Sequence, residues 1–336
     1  MKRWFGQCVA LFAICANALF FHASAFAQPA GADLTLNAWL NRVHQAARQS
    51  VYTGTFVVSS GNNMASARIW HVCDGSQQLE RVESLSGTPR AIFRRNDQVV
   101  TFFPQSRVAV AEVRESLGLF PNLLKSTDSS IGDFYRLKAL GVDRIAGFDA
   151  DVFELTPNDR LRYGYRVWSE KKTGLIVQLQ TLDVNSKVLE QAAFSELQLD
   201  AQVNVGKLSR SGSTEGYRVL RPDLQKTTAD ALGWVLRRPV DGFKPMGCYQ
   251  RPAAAPSGGA GIGQSTMQWV FSDGVATVSL FVEAYDSRRH SREGFTDMGG
   301  ATHTLARRIE EWWTTAIGEV PPETLHAFAQ ALERKK

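Results

Sequence analysis

The segment spanning residues 160–199 constrains the fold most, because it alternates apolar and polar residues in three short runs. In the first run Leu161, Tyr163, Tyr165 and Val167 occupy every second position, which is the period of a β-strand. The polar breaks at residues 169–174 and 183–186 leave no room for a helix between the runs. The segment therefore predicts three antiparallel strands joined by short loops, since parallel strands need a longer crossover.

Both faces of this predicted meander carry apolar residues, because Ile176 and Leu182 lie opposite Leu175 and Val177. A curved sheet that packs on one side and lines a hydrophobic hollow on the other would account for this. Further strand-like runs, punctuated by Asp-Gly and Ser-Gly turns, fill residues 51–113. The sequence thus predicts a mostly β (α+β) fold, with a large N-terminal antiparallel sheet and a small C-terminal α+β domain.

Composition divides the 336 residues into four parts. Residues 1–27 have the basic start, apolar middle and Ala25-Phe26-Ala27 cleavage site of a Sec-type signal peptide, cut after Ala27. A membrane anchor is the alternative, which the short apolar core disfavours. Residues 28–203 form the predicted large domain, the polar, glycine-containing residues 204–222 a linker, and residues 223–336 the small domain.

Four local patterns add detail to this organisation. Asp33 or Thr35 is expected to cap a first helix, and Pro321 to open the last one. Asp273-Gly274 predicts a hairpin turn. The apolar residues between 117 and 124 leave two interpretations open, a packed core helix or a movable cover over the sheet.

The charge balance argues against nucleic-acid binding. Without Lys2 and Arg3, 36 of the 38 basic residues remain against 33 acidic ones, a net charge of +3. This excess is small and dispersed along the chain, whereas nucleic-acid binding needs a concentrated basic surface.

The search for reactive groups predicts neither an enzyme nor a metal or cofactor site. Cys73 and Cys248 follow the predicted cleavage site without a C-x-x-C spacing, so a disulfide and two separate thiols both remain open. His71 stands two residues before Cys73, but no oxyanion arrangement is visible nearby. No nucleotide-binding or nucleophile-elbow motif is present in the sequence.

Arginines mark two of the predicted strand regions. Arg90 and Arg94 belong to the first, Arg162 and Arg166 to the meander. They are interpreted either as a solvated sheet face or as a site for anionic groups of a lipid or an acidic partner, since arginine binds phosphate and carboxylate bidentately.

Several motifs, taken together and in order, resemble the RseB/MucB family of exported regulators of the envelope-stress sigma factor, sigma-E. They cover nearly the whole chain after residue 27 and include Tyr52-Thr53-Gly54-Thr55-Phe56, Leu85-Ser86-Gly87-Thr88-Pro89-Arg90, Arg162-Tyr163-Gly164-Tyr165-Arg166-Val167-Trp168, Phe271-Ser272-Asp273-Gly274 and Gly318-Glu319-Val320-Pro321-Pro322.

The resemblance implies a fold and a role. It implies an N-terminal half-open antiparallel β-barrel like the lipoprotein carriers LolA and LolB, and a periplasmic protein that binds the periplasmic region of a membrane anti-sigma factor. That binding would hinder the first proteolytic cut and end when lipid or lipopolysaccharide is sensed. The candidate residues for a lipid cavity are Phe56, Trp70, Phe102, Phe103, Phe120 and Trp168.

Two other functions are alternatives to this one. A periplasmic lipid or lipoprotein carrier would use the same hollow to transfer an acyl chain. An exported hydrolase would need a nucleophile and base that the sequence does not assemble. Homo-oligomer formation is left open.

Overall fold

The structure is a computed structural model that describes residues 35–73, 75, 77–113, 120–124, 130–251 and 265–335. The predicted signal peptide, residues 117–119 and the Ala-, Pro-, Ser- and Gly-rich segment 252–264 lie outside these ranges. In the described residues no helix has the length and apolar character needed to cross a membrane.

The first described element is the predicted first helix, α1 (Leu36–Gln49). Thr35 caps it, since the Thr35 hydroxyl accepts a hydrogen bond from the Ala38 N–H at 3.2 Å. One face buries Trp39, Leu40 and Val43. The ring of Trp39 lies 5.3 Å from that of Phe153 and helps to anchor the helix.

A 12-stranded sheet follows, which we call the first sheet. Its strands are β1 (Tyr52–Ser60), β2 (Asn63–Cys73), β3 (Gln78–Ser84), β4 (Ala91–Arg95), β5 (Gln98–Phe103), β6 (Val108–Val113), β7 (Tyr135–Ile145), β8 (Phe148–Pro157), β9 (Gly164–Glu170), β10 (Ile176–Leu182), β11 (Val188–Leu199) and β12 (Arg218–Leu220). Two short helices, α2 (Ile131–Phe134) and α3 (Val205–Arg210), and a 3-10 turn at Pro104–Ser106 complete this part.

The spatial order is β12-β6-β5-β4-β3-β2-β1-β11-β10-β9-β8-β7. Strand β1 joins the two halves, because it pairs with β2 on one side and β11 on the other. The predicted meander is confirmed as β9, β10 and β11. The sheet is open, since β12 and β7 at its two edges do not pair with each other.

Apolar clusters cover both faces of the first sheet. The larger cluster contains residues of α1 and of β1, β2 and β7–β11, together with Phe120, Leu123 and Leu124. Residues 120–124 are not helical, so the core-helix interpretation does not hold for the described part of that segment. The smaller cluster lies around Phe93 and Phe102 and includes Leu208 of α3.

The segment predicted to be a linker is partly folded onto the first sheet. Asn204 caps α3, and Leu208 is buried there. Strand β12 then pairs in parallel with β6. Sequence periodicity did not indicate these elements because each is shorter than the window over which a helix or strand pattern is visible.

The second sheet has seven strands and carries the C-terminal helix. Its elements, with the separate pair β14 and β21, are β13 (Gln225–Thr227), β14 (Trp234–Leu236), β15 (Lys244–Arg251), β16 (Thr266–Ser272), β17 (Thr277–Ala284), β18 (Gly294–Asp297), β19 (His303–Ile309), β20 (Trp312–Gly318), α4 (Pro322–Ala331) and β21 (Leu332–Arg334).

The hairpin predicted at Asp273-Gly274 and the predicted last helix are confirmed in this part of the chain. Strands β16 and β17 pair across the turn that contains Asp273, and β19 pairs with β20. On α4, Phe328 is fully buried and its ring lies 4.9 Å from that of Phe271. The predicted fold class, mostly β with a large antiparallel sheet and a smaller α+β part, is confirmed.

Candidate functional site

An open hollow of about 410 Å³ lies on one face of the first sheet. Alternate residues along a strand share a face, so strands β1–β5 each present side chains to it. It is lined by Phe56, Val58, Ala65, Ser66, Ala67, Val82, Ser84, Ser86, Thr88, Arg90, Ile92 and Phe103. The walls are mainly apolar, while the turn that leads to Arg90 contributes hydroxyl groups and one cation.

This combination suits an amphiphile. Apolar walls favour an acyl chain, and a guanidinium at the rim favours a phosphate or carboxylate. Arg90 is exposed, so its charge is available to a ligand at the rim. Two of the six predicted cavity residues, Phe56 and Phe103, line this hollow.

Phe120 and Trp168 do not line the hollow but pack in the core beside it. The Phe120 ring lies 5.5 Å from that of Phe56 and 5.0 Å from that of Phe194. Phe120 therefore supports the wall that Phe56 forms. Trp168 is buried in the same core, and its indole Nε1 donates to Oδ2 of Asp143 at 3.1 Å.

Trp70 and Phe102 lie on the opposite face of the sheet. Trp70 pairs with Thr53, which alternates with Phe56 along β1. It lines a separate depression of about 570 Å³ beside α3. Phe102 is buried in the smaller cluster, 5.1 Å from the ring of Tyr217. Successive side chains along a strand point to opposite faces of the sheet, and Trp70 and Phe102 occupy positions that face away from the hollow.

Of the four arginines predicted to meet anionic groups, Arg94 and Arg166 are already paired within the sheet. Arg94 is buried and bonds to Glu80 at 2.9 Å. Arg166 bonds to Glu154 at 2.7 Å and is partly exposed. Each pair joins neighbouring strands, which satisfies the guanidinium internally.

Arg162 is the fourth, and it lies fully buried between the two sheets. Its Nε donates to Oδ2 of Asp273 at 2.8 Å, and its Nη2 donates to the Asp241 carbonyl at 2.6 Å. The guanidinium also stacks over the rings of Phe134 and Phe243, at 4.3 and 4.9 Å. These contacts leave no access for a ligand, so its role is to hold the sheets together.

Asp273 is a residue that sequence reasoning identified only as part of a hairpin turn. Its Oδ1 accepts from the N–H groups of Val275 and Ala276, while its Oδ2 accepts from Arg162 and from the Tyr135 hydroxyl at 3.2 Å. Burial raises the pKa of Tyr135, with the nearby Tyr165 and Asp273 adding to the effect. Val275, two residues after Asp273, packs into the core of the first sheet. The Asp273-Gly274 dipeptide and the resemblance motif around it indicated this turn, but neither indicated its contact with Arg162.

A second polar contact joins the sheets at Tyr163. Its hydroxyl lies 2.8 Å from Nε2 of His303, and burial raises the pKa of Tyr163 to about 12. Burial also lowers the pKa of His303, although Asp297 opposes that shift. Thr324 of α4 donates to the Leu161 carbonyl at 2.6 Å. The connection between β8 and β9 thus contacts both β19 and α4.

The side chains of His71, Cys73 and Cys248 belong to strands of the two sheets, and their contacts are those of structural residues. His71 stacks on Tyr52 at 4.9 Å, and its two ring nitrogens contact the Ser50 carbonyl and the Gln78 amide. Cys73 and Cys248 are free thiols in different sheets. Burial raises the pKa of Cys248. Within the described ranges no cluster of three metal-ligating side chains occurs.

Comparisons with known proteins agree with this architecture. The family model described as the MucB/RseB N-terminal domain matches residues 35–211, and that of the MucB/RseB C-terminal domain matches residues 228–333. The sigma factor AlgU regulatory protein MucB of Pseudomonas aeruginosa is 25% identical over 320 residues, covering 92% of this chain and 94% of its own. The sigma-E factor regulatory protein RseB of Escherichia coli K12 is 21% identical over 336 residues, covering 99% and 98%.

Solved structures support the same fold. The crystal structure of MucB in complex with MucA(peri) superposes with a TM-score of 0.68 at 22% identity, covering 89% of this chain and 98% of that one. The crystal structure of MucB superposes with a TM-score of 0.63 at 21% identity, covering 88% and 97%. With both domain models matched in order along the chain, the protein belongs to the MucB/RseB family.

Proposed function

We propose that the protein is a periplasmic negative regulator of the sigma-E envelope stress response. It binds the periplasmic region of a membrane anti-sigma factor and protects that region from site-1 proteolysis. The observation that carries the proposal is the ordered match of both MucB/RseB domain models. The relatives named as sigma factor regulatory proteins, and the MucB structure solved with MucA(peri), support it.

Export to the periplasm is part of this proposal. Residues 1–27 have the composition of a cleaved signal peptide, with Ala27 at the cleavage site. Sequencing the N-terminus of protein recovered from the periplasmic fraction would test this, with Gln28 expected as the first residue.

The releasing signal in this proposal is a lipid that enters the hollow. Phe56 and Phe103 would hold an acyl chain, and Arg90 would meet the anionic headgroup of a lipopolysaccharide-type molecule. Phe120 would respond to an occupied hollow through its contact with Phe56. By linkage, a lipid that lowers the affinity for the anti-sigma factor must itself bind less well when that partner is present.

The hollow also favours a second candidate, a periplasmic lipid or lipoprotein carrier. A carrier must release its acyl chain to an acceptor membrane, whereas a lipid-sensing regulator needs only to bind it. Mass spectrometry of gently extracted protein followed by a transfer assay to vesicles separates the two. Bound lipid without transfer supports the regulator, and transfer supports the carrier.

The partner proposal is tested by association of the purified chain from residue 28 with the periplasmic segment of the anti-sigma factor encoded in the same genome. Isothermal titration calorimetry should detect saturable binding of that segment. Adding lipopolysaccharide to the preformed complex should then weaken it. No association with the segment would overturn the proposed function.

A further inference from the structure

Strand β7 is a long, open edge of the first sheet. It stands last in the strand order, spans Tyr135–Ile145 and pairs with β8 alone. Every residue from Lys138 to Arg144 is exposed. Among the residues that the structure describes, no segment pairs with the outer side of this strand. An edge of this kind is a template for pairing with another chain.

The backbone of β7 presents hydrogen-bonding groups to solvent at definite positions. The Asn158 N–H donates to the Phe134 carbonyl, and antiparallel pairs alternate, so the backbone groups of Leu137 point away from β8. Beyond the bulge at Ala139/Gly141, Ile145 pairs with Phe148 across a two-residue turn, so the backbone groups of Ile145 point toward β8 and those of Arg144 point away from it. The Arg144 N–H donates to Oδ1 of Asp143 at 2.7 Å. By the same alternation, the N–H and C=O of Val142 point outward.

The exposed side chains of β7 carry net positive charge. Arg136 and Lys138 stand two positions apart and therefore project from the same face. The cross-strand neighbour of Lys138 is Glu154, which already bonds to Arg166 at 2.7 Å. A strand added outside β7 would lie directly beside Arg136 and Lys138. Glu154 of β8 would be one strand further away from that added strand. Acidic side chains on the added strand are therefore favoured.

A second copy of this chain is a poor occupant of the edge. In a centred antiparallel pair Arg136 would oppose Arg144 of the other copy, and like charges directly opposite are destabilising. The bulge at Ala139/Gly141 further disfavours a flat, self-complementary edge. The exposed apolar side chains of Leu140 and Val142 nevertheless offer contact area to a different chain.

We propose that an extended, acidic segment of the anti-sigma factor binds this protein by adding to β7 as a further strand of the first sheet. Main-chain hydrogen bonds at Leu137 and Val142 supply the pairing, and Arg136 and Lys138 select the charge of the segment. The inference rests on the proposed function, because it locates the binding of that same partner.

The test combines hydrogen exchange with charge reversal, using the chain from residue 28 and the periplasmic segment of the anti-sigma factor. In the complex, the amides of Leu137 and Val142 should exchange more slowly than in the free protein. The double variant Arg136→Glu with Lys138→Glu should bind the segment about tenfold more weakly. The matched control, Arg221→Glu with Lys226→Glu, reverses two exposed charges before and within β13 and should bind normally.

A backbone variant provides a second, independent readout. Val142→Pro removes an outward N–H without removing a bond to β8, and proline is tolerated on edge strands with this orientation. It should weaken binding by about tenfold while the thermal melt shows a folded protein. If Val142→Pro does not fold, the charge-reversal pair and the exchange measurement still decide the matter.

The outcomes separate this inference from the proposed function. Wild-type binding with unchanged exchange at Leu137 and Val142, or with equal affinity of the charge-reversed and control variants, overturns strand addition but leaves the partner intact. Absence of wild-type binding overturns the proposed function itself. Slow exchange at these amides in the free protein, together with a dimeric mass in solution, would assign the edge to a second copy and overturn the inference.

Discussion

The guanidinium Nε of Arg162 lies 2.8 Å from Oδ2 of Asp273, and neither side chain is exposed. Arg162 lies in the connection between β8 and β9 of the first sheet, while Asp273 lies in the β16–β17 turn of the second. Asp159 adds a further carboxylate to the same guanidinium. This buried pair is the polar centre of the contact that joins the two sheets.

Replacing Arg162 by alanine should lower the free energy of unfolding by about 3–5 kcal/mol, because it leaves the buried Asp273 carboxylate without its cation. Urea denaturation followed by circular dichroism measures the change. Arg166→Ala is the matched control. Its pair with Glu154 is partly exposed, so the expected loss is about 1 kcal/mol or less. Equal losses for the two variants would contradict a special role for Arg162.

Gly242 makes the same contact possible through its backbone conformation. Its φ is +78°, and a Cβ atom there would collide with Nη2 of Arg162 and the ring of Phe134. Gly242→Ala should therefore cost about 2–5 kcal/mol in unfolding free energy, from backbone strain and overpacking together. Gly147→Ala tests backbone strain alone, since Gly147 has φ +88° and open space around its Cα. It should cost about 1–2 kcal/mol, and a larger loss at Gly147 than at Gly242 would contradict the account.

The folded protein should lose stability as the pH falls through the titration range of histidine. Burial lowers the pKa of His71, although Glu80 and the Ser50 carbonyl oppose the shift, and burial also lowers the pKa of His303. A histidine with a depressed folded pKa takes up its proton first in the unfolded state. The contribution of such a histidine to stability is therefore complete above its unfolded-state pKa of about 6.5. It is lost as the pH falls through its folded-state pKa.

Unfolding free energies measured between pH 7.5 and pH 5 test this direction. His71→Gln should lose less stability over that interval than the wild type, because one of the imidazoles whose pKa is lowered by burial is gone. His326→Gln, which changes an exposed side chain of α4, should keep the wild-type pH dependence. A pH dependence that is identical in all three proteins would exclude His71 as its source.

Phe103 and Phe102 are adjacent on β5, but replacing them by aspartate should have different effects. The change at Phe103 should mainly lower ligand affinity, and the change at Phe102 should mainly lower stability. Phe103 lines the hollow, so Phe103→Asp should lower the affinity for a fluorescent fatty acid at least about tenfold, with about 1 kcal/mol or less lost in stability. Phe102 is buried on the other face, and Phe102→Asp should cost about 3–5 kcal/mol.

Probe titration and urea denaturation of both variants distinguish a ligand hollow from ordinary core. If Phe103→Asp and Phe102→Asp lost the same stability, and probe affinity followed stability alone, the hollow would have no binding role. Arg90→Ala should weaken an anionic acyl probe more than its neutral alcohol analogue, because only the former meets the guanidinium.

Local patterns predicted the regular elements well. The alternation at residues 161–167 gave the meander, and Asp273-Gly274 gave the β16–β17 hairpin. These signals are local, because a strand or a tight turn is specified by residues close together in sequence. The short elements α3 and β12 were missed, since they are stabilised by packing on the first sheet rather than by their own periodicity.

Long-range relationships were not accessible in this way. Arg162 and Asp273 are separated by 111 positions, and nothing in either neighbourhood indicates that they meet. Alternation places Phe102 and Phe103 on opposite faces, but it does not say which face is hollow. The sequence made Arg94 a candidate for binding anionic groups, whereas in the structure its guanidinium bonds to Glu80 of the neighbouring strand.

Protection of the anti-sigma factor from its site-1 protease tests the central claim most directly. The periplasmic segment of that factor, mixed with an equimolar amount of this protein, is exposed to the protease and its cleavage rate is measured. The account predicts that cleavage slows strongly and that added lipopolysaccharide restores it. An unchanged cleavage rate under conditions in which the two proteins form a complex would contradict the account.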